Sequence, residues 1–212
     1  MNRRVAIVGA PSSIGIRPYD SGEMRHLDRA PGVFRQLGLP ERLNAVEFGD
    51  VVPPAYRDYE RSPGRVRNEA EVAAYSASLA DRVASAGADD RFVVLIGGDC
   101  SIVLGGLLGA SRAAGGAVGL AYVDGHADFA TPQESRTGSA ASMCLAMAVG
   151  RGDTPLAHLC DQPLVLEEHV ALIGRRDAGQ SYGHDALAAS RILDIPGADY
   201  PLAGSAPPPR SA

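Results

Sequence analysis

Apolar residues along this chain fall in short continuous blocks set between breaks rich in Gly and Pro, with longer stretches of helical spacing between them. Arg4 to Val8, Phe92 to Ile96, Ala117 to Val123 and Val170 to Gly174 are short apolar runs, several rich in β-branched residues, which predicts buried strands. A further short strand is expected near Ala45 to Phe48. Helical spacing is clearest between Asn68 and Ala86, where Val72, Tyr75, Leu79 and Val83 recur three or four positions apart. Asn68 is placed to cap the start of that helix and Gly87 to end it. Pro31 to Leu37, closed by Gly38 and Pro40, is a second expected helix; Ile102 to Ala114, Ala140 to Val149 and Gly183 to Ser190 are three more. Gly49 to Arg67 has no period and reads as a long surface loop. Pro196 to Ala212 has the composition of a disordered tail. Strand, helix and strand without tight hairpin turns predicts an α/β domain with a parallel sheet, which gathers ligands at the carboxyl ends of its strands. Two breaks fall at such ends, Gly98-Asp99-Cys100-Ser101 and Asp124 to Asp128.

Composition narrows the class. At 212 residues and 45% hydrophobic content the chain can bury a sizeable core as one domain, and a net charge of -5 gives no sign of a nucleic-acid partner. No apolar run approaches the ~20 residues of a membrane helix, and Val5 to Ala10 is too short for a signal-peptide core, so no membrane partner and a cytoplasmic location are expected. Cys100, Cys144 and Cys160, the three cysteines, have unrelated spacings and are expected as reduced thiols.

The chemistry concentrates in Leu120 to Phe129, LAYVDGHADF. Alternate residues of an extended segment share a side, so Asp124, His126 and Asp128 can converge just beyond the strand, with Gly125 allowing close approach of the backbone. Two carboxylates and an imidazole suit a divalent ion such as Mn, Fe, Co or Zn; a solvated acidic loop with a chance histidine is the plainer alternative. Carboxylates held this close repel one another unless a cation or a proton compensates them. Cys100, at the end of the preceding strand, has three readings: a thiolate metal ligand, a nucleophile with His126 as base, or a small packed hydrophobe. Arg175-Arg176-Asp177 offers either a substrate carboxylate site or a surface ion pair. His158 and His184 carry no motif and are expected to be exposed. Val5 to Gly15, VAIVGAPSSIG, looks like a dinucleotide turn, but Ile16-Arg17-Pro18 forces an extended path where that site needs a helix amino end.

Taken together these landmarks resemble the ureohydrolase family of arginases, agmatinases and formimidoylglutamases, over roughly Val5 to Asp194. Its Gly-Gly-Asp-His-Ser motif is matched by Gly97-Gly98-Asp99-Cys100-Ser101, and its Asp-Ala-His-x-Asp by Asp124-Gly125-His126-Ala127-Asp128. The Thr-Pro and Ser-Gly-Asn-x-His-Gly-Met segments are matched in part by Thr131-Pro132 and Thr137 to Met143. Weaker matches are Gly38 to Leu43, Gly49-Asp50-Val51 and Val170 to Arg176. The resemblance implies a three-layer α/β/α fold with a mainly parallel sheet, arginase-like and incomplete at its C-terminal side, over residues 1–195, followed by the tail at 196–212. It also implies a manganese centre, two ions in the family, that activates a bridging water for attack on a guanidinium or amidine carbon. Asp124 and Asp128 would ligate the metal, Asp128 also serving catalysis, and His126 would hold the second ion. Thr137, Gly138 and Ser139 would lie near the amino-acid end of a small guanidino substrate.

Three positions depart from the family pattern. Cys100 stands where a histidine ligand is expected, a softer donor that weakens manganese binding or selects another metal. Ala141 stands at the histidine of the substrate-side segment, removing a proton shuttle. No Asp-x-Asp follows Asp128, so the family's remaining carboxylate ligands have no counterpart. The expectation is a metal-dependent hydrolase of linear amidines such as arginine or N-hydroxyarginine, with room for a homo-oligomer. The alternatives are a non-catalytic homologue that binds metal weakly and a cysteine hydrolase built on Cys100.

Overall fold

The computed structural model describes residues 3–60, 62–177 and 183–197. The expected tail therefore lies, from residue 198 onward, outside the described residues. The apolar blocks form strands β1 (Val5–Ala10), β2 (Val46–Asp50), β3 (Phe92–Gly97), β4 (Leu120–Val123) and β5 (Val170–Ile173), joined by β6 (Leu193–Ile195). All strand pairs are parallel, in two three-stranded sheets of order β2-β1-β3 and β4-β5-β6. Together with the flanking helices this is the parallel α/β arrangement that the alternation of elements predicted, and the three-layer fold that the family resemblance implied.

The helices follow the sequence signals closely, with instructive exceptions. α1 (Ala30–Gln36) ends at Gly38, whose φ of 73° is the left-handed conformation that glycine adopts without strain. Pro40 does not close that helix but sits in the first turn of α2 (Leu39–Leu43), where its missing N–H costs nothing. In α3 (Glu69–Gly87) the expected apolar stripe, Val72, Tyr75, Leu79 and Val83, is buried. Asn68 does not cap α3 through its side chain. Held at φ 48°, it accepts from the Arg57 and Asp58 amides at 2.8 and 3.0 Å and donates to Ile14 O at 3.0 Å, tying the long loop and the segment after β1 to the helix start.

α4 (Ile102–Ala114) packs closely along α3. A Cβ on Gly105 or Gly109 would press into Ser76, Leu79, Ala80 and Val83, so these two glycines set the spacing of the pair. The helix expected over Ala140 to Val149 is shorter than its pattern: a 3₁₀ turn covers Ala140–Ser142 and α5 only Cys144–Ala148, all of it buried. α6 (His184–Ala188) lies within the expected Gly183 to Ser190.

β1, in the middle of its sheet, is buried along nearly its whole length. β3 and β4 read as equally apolar, yet Phe92 is 57% exposed and Val123 76%. The reason is position: each strand borders its sheet, so one side has no neighbour among the described residues. No helix among the described residues is long and apolar enough to cross a membrane.

Candidate metal centre

The carboxyl ends of β1, β3 and β4 meet at one cleft, and the local sequence explains how they are held. After β3, Asp99 is buried and accepts hydrogen bonds from Ser12 Oγ at 3.2 Å, the Gly15 amide at 3.1 Å and the Ser101 amide at 3.0 Å. One carboxylate thus fixes the loop after β1 against the loop after β3. A Cβ at Gly98 would overlap the Ser12 backbone, and one at Gly15 would overlap Asp99 and Ser101. The Gly15 amide, which a dinucleotide turn would aim at phosphate, is spent on Asp99, and no helix begins between Gly15 and Leu27.

Cys100 follows Asp99 directly. Its thiol and the carboxylates of Asp124 and Asp128 each place one donor atom within 4.8 Å of the other two. His126 lies outside this set: its side chain is 76% exposed, and Nδ1 stands 3.6 Å from Asp124 Oδ1. The alternation that was expected to bring three residues to one side does not hold, because the segment is not extended: the chain bends at Gly125 and His126, and Asp128 takes the left-handed φ of 47°. The His126 amide still contributes, donating to Asp124 Oδ1 at 2.9 Å, and the Ala127 amide donates to Asp177 Oδ2 at 3.0 Å.

The two carboxylates at this site are crowded against one another and against the Cys100 thiol. Burial, opposed by a hydrogen bond from Tyr122 and reinforced by the charge of Asp124, raises Asp128 from the ordinary 3.8 to about 6. Cys100 is exposed as a residue, but its thiol is partly withdrawn from water beside Asp128, Asp124 and Asp99, which pushes it up to about 12. A divalent cation among these groups would offset both costs at once. The donor chemistry, two carboxylate oxygens and a sulfur, fits such an ion.

The cleft above these donors measures about 680 Å³. Thr137 and Ser139 line it, with Arg17, Arg25 and Asp177. Gly138, at φ 67°, lets the segment turn, and its carbonyl accepts from the Arg67 amide at 2.8 Å. Ser139 Oγ accepts from the Arg17 amide at 3.0 Å. Ala141 also borders the cleft, and its amide donates to Gly15 O at 3.0 Å.

Sequence reasoning missed Arg17 and Arg25, which carry no motif, and Tyr122 and Cys144, which read as ordinary core of β4 and α5. Arg175 does not face the cleft as a substrate anchor. It is 6% exposed and grips Asp194 with Nε at 2.9 Å from both carboxylate oxygens and Nη2 at 2.5 Å from Oδ2, a partly buried pair rather than a surface one. His158 is exposed as expected, whereas His184 is half-buried.

Comparison with known proteins places the chain as a whole. A family model described as the arginase family matches residues 3–196. The arginase of Bacillus caldovelox is 34% identical over 173 residues, covering 78% of this chain and 57% of that protein. The arginase of Staphylococcus aureus strain COL is 29% identical over 182 residues, covering 82% of this chain and 58% of that protein. The native structure of the Bacillus caldovelox arginase superposes with a TM-score of 0.78 at 27% identity, over 92% of this chain and 64% of that one. The chain thus spans a little over half the length of the curated relatives it matches.

Proposed function

We propose, from the premise that this chain belongs to the arginase family, that it is a metal-dependent hydrolase of small guanidino or amidine compounds. The observation that carries this reading is the convergence of Cys100, Asp124 and Asp128 at the floor of a cleft large enough for an amino-acid substrate. Asp124, Asp128 and the Cys100 sulfur would hold the ion; His126 would join them only by turning its ring inward from solvent. When bound, a divalent ion supplies a nucleophilic water at neutral pH and stabilises charge on the attacked carbon's substituents.

The rest is work for the side chains. The carboxylates of Asp124 and Asp128 place negative charge where a guanidinium would enter, and Asp128 is the proposed catalytic residue, its carboxylate taking the proton of the attacking water. Arg17 and Arg25 border the same cleft and suit the carboxylate of an amino-acid substrate, with Thr137, Gly138 and Ser139 beside it. Manganese is the ion the family suggests, and the sulfur of Cys100 favours a softer one.

A second reading is a homologue that binds an ion without turnover. It is favoured by Ala141, which puts a methyl group where a proton shuttle would stand. A cysteine hydrolase is disfavoured, because a thiol pushed up to about 12 is protonated at neutral pH. Urea release from arginine, agmatine and N-hydroxyarginine, measured on metal-loaded protein, separates the three. Chelator-sensitive urea release supports the metal hydrolase. Full metal loading with no urea from any substrate supports the non-catalytic homologue, and activity that survives chelator but not a thiol reagent supports the cysteine enzyme.

A further inference from the structure

Behind Asp128 lies a polar contact that the metal reading does not use. The Tyr122 hydroxyl, on buried β4, donates to Asp128 Oδ2 at 2.7 Å. The same hydroxyl stands 3.0 Å from Cys144 Sγ, and that thiol lies 3.5 Å from Asp128 Oδ2 and 3.4 Å from Ala141 O. Tyr122 is nearly buried and Cys144 fully so. The backbone is tied across the same gap: the Ala146 amide of α5 donates to Asp128 O at 3.2 Å.

A phenol has one proton to give. Spent on Oδ2, it leaves the phenolic oxygen free to accept the Cys144 S–H, so a three-member chain runs from α5 through β4 to the carboxylate. Among the described residues no hydrogen bond reaches Asp128 Oδ1. The carboxylate is therefore held by one oxygen, with the other left for a ligand. The hold is shared by the backbone: Asp128 sits at φ 47°, a left-handed conformation that Asp tolerates, and its carbonyl is tied to α5 by the Ala146 amide.

We propose that Tyr122, braced by Cys144, is a positioning residue that fixes the carboxylate of Asp128 for cation binding by occupying its Oδ2. The inference rests on the metal reading above. It assigns the two residues no contact with substrate or with the reacting atoms. Partners that orient a metal-ligating side chain in this way typically carry ten- to hundred-fold in affinity, roughly.

The test is calorimetric titration of Mn²⁺ and Co²⁺ into this chain and into Tyr122→Phe, Cys144→Ala, Asp128→Asn and a core control, Val170→Ala. Tyr122→Phe is expected to weaken binding about ten-fold or more and Cys144→Ala roughly two- to ten-fold. Val170→Ala, though it lowers the metal-free melting temperature, should leave affinity unchanged, which a purely structural role for Tyr122 would also do. If Tyr122→Phe does not fold, the Cys144→Ala titration decides. Binding within two-fold of wild type in the folded Tyr122 and Cys144 variants, with binding lost in Asp128→Asn, overturns the positioning role and leaves the metal reading standing. Wild-type binding in Asp128→Asn as well overturns both.

Discussion

Asp128 is a carboxyl pushed upward by its burial in the cleft, and its behaviour with pH follows from that. A carboxyl raised to about 6 from 3.8 is protonated in the folded chain at pH values where the unfolded chain has already released the proton. The folded state binds more protons across that window, so this group makes the metal-free protein less stable as pH rises from about 4 to about 6, and the loss persists at neutral pH. Replacing Asp128 by Asn keeps an acceptor for Tyr122 and removes the charge. In the absence of metal, thermal unfolding is expected to show Asp128→Asn gaining on wild type between those pH values and staying more stable at pH 7. A difference that does not change with pH would contradict the assigned cause. Cys100 supports a separate prediction. If its sulfur faces the ion, Co²⁺ should give a near-ultraviolet sulfur-to-cobalt charge-transfer band that disappears in Cys100→Ser. At this scale the sequence was legible where residue type alone specifies chemistry, as for the two aspartates and Cys100. It was not legible for His126, because the bend at Gly125 and His126 that breaks the extended alternation has no signature beyond a glycine that also suits a straight strand end.

Single apolar strands and the long amphipathic α3 were readable because burial leaves a mark, a continuous apolar run in the strands and an apolar residue every three or four positions in the helix. Short elements were not. α2 was hidden by Pro40, a residue that ends one helix and opens another with equal ease, and three-residue β6 is too short to show a period. The Gly97-Gly98-Asp99 run was legible as a motif but not as a mechanism. Asp99 serves the site by clamping two strand-end loops, and nothing in the spacing announces that Ser12 and Gly15 are its partners. Asp99→Ala would strand three buried donors and is expected to cost about 2–4 kcal/mol in denaturant unfolding. It should also weaken metal binding by letting Cys100 drift. Unchanged unfolding would show that the clamp does not hold the loops.

At the scale of the whole molecule, the two three-stranded sheets explain why strands with fully apolar sequences are half-open to solvent. β3 and β4 expose Phe92 and Val123 at their borders. Apolar strand edges of this kind invite pairing, so sedimentation velocity on this chain should show association that grows with concentration and falls in Phe92→Lys. Parallel topology and the position of the cleft were foreseeable from the strand-helix alternation. The division into two sheets was not, since pairing partners leave no local mark on a strand buried on both faces or on one. The central claim, that Cys100, Asp124 and Asp128 hold a divalent ion, is tested most directly by metal analysis of wild type beside the Asp124→Asn/Asp128→Asn double variant, each dialysed after loading with Mn²⁺ or Co²⁺. The account predicts retained metal in wild type and its loss in the double variant. Equal retention in the two proteins, or none in either, would contradict it.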